Sequence, residues 1–111
     1  LRTLHSINDG VYGGESLIFW DKKKQKLVFY YFTTADFMTS GEIEVLSDNS
    51  FVAYEDVSGE SAMSQGITKV KSVSTLSKAQ LTVETSYLKN GEWTDPKKRI
   101  YRPSTKVVKF K

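Results

Sequence analysis

Only one histidine, His5, stands in a chain of 111 residues that has no cysteine. Thiolate nucleophiles, disulfides and cysteine metal sites are therefore closed to it. His5 alternates with Leu4 and Ser6, on the parity of Thr3 and Ile7. A lone strand histidine in that setting reads as a surface or hydrogen-bonded residue before it reads as an acid–base catalyst. No serine sits in a Gly-x-Ser-x-Gly turn. Glu55 and Asp56 are neighbours on an extended run, so they point to opposite faces and cannot act as a close carboxylate pair. The acids lack calcium-loop spacing, and a single histidine cannot build a metal centre alone. Gly10, Gly13 and Gly14 precede a strand rather than a helix, which fits a bulge or tight corner and not a phosphate cradle. The expectation from these residues is no enzyme, no cofactor and no metal. Glu15 is the acid with most promise. It shares the parity of Leu17 and Phe19, and inside an aromatic cavity it would bind a cationic ligand or a hydroxyl.

The elements that must position such residues are strands. Alternating runs recur from Glu15–Trp20 to Val107–Phe110, separated by turn-forming clusters such as Asp21–Lys24, Ser47–Ser50, Leu76–Lys78 and Lys89–Glu92. Leu27–Thr34 is the run of highest β propensity, aromatic on both parities. Ala79–Tyr87 alternates cleanly, with Leu81, Val83, Thr85 and Tyr87 on one face and Gln80, Thr82, Glu84 and Ser86 on the other. Asn90-Gly91 then predicts a tight hairpin turn. Ser58–Gly66 is small, polar and glycine-flanked, and reads as a mobile loop at a barrel mouth. No window shows a helical period. About eight such strands form an antiparallel up-and-down β-barrel, which removes exposed edges by closure. The predicted organisation is all-β, one domain over residues 1–111.

Net charge is +3, from 16 basic and 13 acidic residues, which is too mild a balance to indicate nucleic acid. The charges are segregated. Between Leu27 and Thr68 there is no Lys or Arg, but Asp36, Glu42, Glu44, Asp48, Glu55, Asp56 and Glu60 all fall there. From Lys97 onward the bias is basic. No apolar run approaches the roughly 20 residues of a membrane-spanning helix. The absence of cysteine suits cytoplasm and periplasm equally and decides neither.

Asn8-Asp9-Gly10, Gly13-Gly14-Glu15, Phe19-Trp20-Asp21, Tyr30-Tyr31-Phe32-Thr33 and Thr39-Ser40-Gly41-Glu42-Ile43 form a pattern over most of residues 1–102. It resembles the lipocalin-like bacterial domains of unknown function in the calycin group. The resemblance implies a barrel with a cavity, and no reaction, since that family has no agreed activity. The family pattern has an earlier strand with a Gly-x-Trp signature that is missing here. That absence implies that N-terminal strands are lacking from this sequence and that one sheet edge is left for upstream residues or a second copy to cover. A haem-binding branch of similar barrels uses a histidine late in the chain. His5 lies near the start, which argues against haem.

Two functional readings follow. In the first, inward apolar and aromatic residues bind a small apolar or amphipathic ligand in the barrel interior. The expected ligand-binding residues are Glu15, Phe19, Phe29, Tyr31, Tyr54, Val83, Tyr87 and Tyr101. In the second, the barrel is filled, and the protein is a non-enzymatic interaction or structural module acting through its surface or as a homodimer.

Overall fold

The turn chemistry of the chain lays down nine strands in an antiparallel sequence. The computed structural model describes residues 1–111. Strand β1 (Arg2–Ile7) leads through a 3-10 turn at Asn8–Gly10 into β2 (Tyr12–Asp21). Then come β3 (Lys26–Thr33), β4 (Met38–Ser47), β5 (Ser50–Ser58), the short helix α1 (Glu60–Ser64), β6 (Ile67–Ser77), β7 (Gln80–Lys89), β8 (Glu92–Trp93) and β9 (Lys97–Tyr101). Each strand from β1 to β7 pairs with the next, and β9 pairs with β7. No helix is long and apolar enough to cross a membrane.

Local sequence explains the corners. The Asp21 carboxylate accepts the Lys23 and Lys24 amides at 2.9 and 3.0 Å, an Asx turn that reverses the chain between β2 and β3. Asn90 and Gly91 both have positive φ, 51° and 82°, as the tight turn between β7 and β8 requires. Pro96 has no amide to donate and splits the last edge strand into β8 and β9, both lying along β7. At that split Thr94 stands in for the ladder. Its amide donates to the Tyr87 carbonyl at 2.8 Å, and its hydroxyl accepts the Tyr87 amide at 2.9 Å.

The strands curl into a half-barrel, the up-and-down all-β fold that the alternating runs predict. Register fixes which side chains face inward. One face carries His5, Tyr12, Ser16, Phe29, Tyr31, Thr39, Ala53, Glu55, Val70, Tyr87 and Tyr101. On a flat sheet the entry to β4 and strand β9 would lie about 19 Å apart across four inter-strand steps. Instead Phe37, just before β4, and Lys97 on β9 line one pocket together with Val57, Val70 and Tyr87 of this face, so this face is the concave one.

The convex face is not purely polar. Val28 and Val52 are its deepest residues, at 3% and 2% exposure. Phe19, Tyr30 and Phe32 form a row of near-parallel rings there, 5.9 and 6.5 Å between centroids. Phe19 and Phe32 remain half exposed.

β1 and β9 do not pair with each other. The C-terminal residues cross back instead. The Lys109 amide donates to the Ser6 hydroxyl at 3.1 Å, and the Lys111 amide donates to the Gly10 carbonyl at 3.2 Å. The Phe110 ring lies against Gly13. Two expectations are corrected here. Val107–Phe110 forms no strand, because its partner is this irregular docking contact rather than a ladder. The Ser58–Gly66 stretch is not a featureless loop. Positive φ at Gly59 and Gly66 brackets helix α1, whose Ala62 is buried at 7% exposure.

Candidate functional site

A polar network crosses the floor of the trough. Tyr31 projects inward from β3 because it pairs with Ser16 on one side and Thr39 on the other. Its ring covers Gly14, where any Cβ would collide with it. His5 Nε2 and the Tyr31 hydroxyl share a hydrogen bond, and the two rings stack with centroids 5.3 Å apart. The Tyr12 and Tyr31 hydroxyls are hydrogen-bonded at 3.1 Å. Phe29 and Phe37 flank the group, against Tyr31 and Tyr12 respectively.

Next along the floor, the Thr39 hydroxyl donates to the Glu55 carboxylate at 2.6 Å. Glu55 is 7% exposed and belongs to none of the ion pairs. Burial pushes its carboxyl above the ordinary range, and the hydroxyls of Thr39 and Ser72 pull it partway back. Burial also raises Tyr31, helped by its bond to Tyr12 and the charges of Glu55 and Tyr101. Burial lowers His5. Around neutral pH the network is thus a run of phenol, neutral imidazole and hydroxyl groups. Its hydroxyl and imidazole groups can donate and accept hydrogen bonds, beside a carboxyl whose ionisation burial opposes. No three His, Asp or Glu side chains are placed to hold a metal ion.

Beside this floor, at the end of the trough, lies a pocket of about 440 Å³. Its apolar walls are Phe37, Val57, Ala62, Ile67, Val70 and Tyr87. Helix α1 roofs it. The helix is held by Gly59, whose carbonyl accepts the Met63 amide at 3.1 Å, and by Ser61, whose hydroxyl donates to the Asp36 carbonyl at 3.0 Å. The volume falls in the usual range for a small-molecule site. A second concavity, of about 370 Å³, lies on the convex face among Tyr30, Glu42, Tyr54, Asp56, Lys69 and Trp93. Two of its acids are matched there, Glu42 by Lys26 at 2.7 Å and Asp56 by Lys69 at 2.5 Å.

The residues expected to bind a ligand divide between the faces. Phe29, Tyr31, Val83, Tyr87 and Tyr101 have the inward parity, and Tyr87 lines the pocket. Tyr101 is still half exposed, on the edge strand. The inward expectation fails for Glu15, Phe19 and Tyr54. Glu15 lies outside in an ion pair with Arg2. Phe19 stacks on Tyr30 outside. Tyr54 is outside beneath the Lys71 ammonium, 5.9 Å from its ring centre. Strand β5 explains the last case. Tyr54 and Glu55 compete for the interior, and β5 pairs so that Gly41 of β4 faces Glu55. Sequence reasoning passed over Glu55, Phe37 and α1. The one available signal was parity: Ala53, Glu55 and Val57 alternate with Tyr54 and Asp56.

No family model, no curated protein and no solved structure matches this chain.

Proposed function

We propose that this protein binds a small amphipathic molecule in the pocket beneath α1, as a lipocalin-like, non-enzymatic binding domain. The carrying observation is that pocket. It has six apolar residues in its wall, and one of them, Phe37, stacks on Tyr12 of the His5–Tyr31–Tyr12 network. The apolar end of a ligand would be buried against Val57, Ile67 and Val70, and its polar end would meet the polar rim of the same pocket. Backbone and methyl NMR during titration with medium-chain alcohols and acids tests this. Shifts should concentrate at Val57, Ala62, Ile67, Val70 and Tyr87. Val70→Trp, which fills the pocket, should abolish them while leaving the sheet folded.

The exposed Phe19–Tyr30–Phe32 row and the unpaired edge of β1 favour a second reading, a surface that meets another protein or a second copy of this chain. Concentration-dependent shifts confined to Leu17, Phe19 and Phe32, with none beneath α1, would favour that reading over the first.

A further inference from the structure

Resting on the pocket reading above, we infer that the ligand is an amphipathic anion, its carboxylate held between Lys89 and Lys97. The two ammonium groups belong to the lining of the apolar pocket, and that lining contains no acid. Register puts both on the concave side of the open edge. Lys89 continues the Thr85–Tyr87 parity of β7, and Lys97 pairs with Thr85. Neither enters any of the three ion pairs of the protein, which all lie on the convex face. Arg99, opposite Val83, adds a third cation on the same parity of β9. Glu92 stands across the hairpin from Lys89 but forms no ion pair with it and is not part of the pocket lining. Glu55, the acid of the concave floor, is buried, is not part of this lining and is held toward its neutral form. The polar remainder of the rim, Ser61, Gln65 and Thr94, offers neutral groups only. The convex concavity presents the opposite case, with Glu42 and Asp56 in its lining each matched by a lysine. Two unmatched cations at the mouth of an apolar pocket select a molecule with an apolar body and a single anionic end.

Calorimetric or fluorescence titration with decanoate, decanol and decyltrimethylammonium tests the charge separately from the pocket. Decanoate should bind about tenfold or more tighter than decanol, and the ammonium should bind weakest, with the preference shrinking at high salt. Lys89→Met combined with Lys97→Met keeps the aliphatic stems and removes the charges. It should bring decanoate down to the decanol affinity without changing the latter. Decyl phosphate binding as tightly as decanoate would support an anion site not restricted to carboxylates. Equal binding of decanoate and decanol, or a decanoate preference that survives in the double variant, overturns the inference while leaving the pocket intact. Failure of all the probes, decanol included, overturns the pocket reading and this one with it.

Discussion

Thr39 and Glu55 form the innermost polar pair of the trough, a hydroxyl donating at 2.6 Å to a carboxylate that no basic side chain neutralises. Because burial raises Glu55, the folded state keeps a proton that the unfolded chain has released between 4.5 and the raised value. The associated stability is complete below pH 4.5 and is lost as pH climbs through the folded-state value. Glu55→Gln keeps an acceptor for Thr39 and cannot ionise. It should raise the thermal midpoint above pH 7 by roughly 1 kcal/mol or more in stability and do nothing near pH 4. A midpoint lowered at both pH values would show that the carboxylate itself is required.

His5 works in the opposite sense. Burial lowers it below 6.5, so the folded state holds fewer protons than the unfolded chain. That stability is present above pH 6.5 and is lost as pH falls through the lowered value. Tyr31→Phe keeps the ring on Gly14 and removes the hydroxyl shared with His5 and Tyr12, at a cost of about 1–2 kcal/mol. The loss of stability on the acid side should persist in Tyr31→Phe, because burial causes it, and should be absent from His5→Gln. Denaturant titrations from pH 4.5 to 8 separate the two.

Gly41 is the least replaceable residue of β4. A Cβ there would lie 1.7 Å from the Tyr54 carbonyl oxygen, so the β4–β5 ladder itself would have to open. Gly41→Ala should cost about 3 kcal/mol or more, at the upper end of overpacking effects. Gly91→Ala has open space around it but a φ of 82°, and should cost about 1 kcal/mol. Urea midpoints for the two variants give the comparison directly.

The convex valines should outweigh the concave ones. Val52 is 2% exposed, whereas Val83 is only half-buried. Val52→Ala should cost about 2 kcal/mol and Val83→Ala about 1 or less. Val83→Asp should still destabilise strongly, on the order of 3 kcal/mol, through a poorly solvated charge facing inward.

Much of this fold is legible in the order of the residues. In β7 the alternation Leu81, Val83, Thr85, Tyr87 against Glu84 names the inner face correctly, and Asn90-Gly91 names its turn. Strand β2 shows why other assignments fail. Leu17 and Phe19 are as apolar as Ile18 and Trp20, so composition cannot choose a face. Pairing with β3 does, and it places Glu15 outside. Glu55 escapes notice for the converse reason, since a carboxylate reads as solvent-facing until a facing glycine and a donor hydroxyl make room for it. Helix α1 has only five residues, too few for a period to emerge, and is fixed by its flanking glycines instead. Lys89 and Lys97 come to line one pocket only because β9 continues along β7 beyond the Pro96 break.

The contact between Ser6 and Lys109 joins residues 103 apart, in a sheet whose strands otherwise pair almost entirely with their neighbours in the chain. A hairpin-by-hairpin meander can assemble from short loops, each closing at small entropic expense, whereas the tail must find its seat across the whole chain. Docking of the tail is therefore predicted to follow the rate-limiting step of folding. Phe110→Ala should leave the refolding rate in stopped-flow experiments unchanged and accelerate unfolding, so that the tail sets how long the native state lasts rather than how fast it is reached.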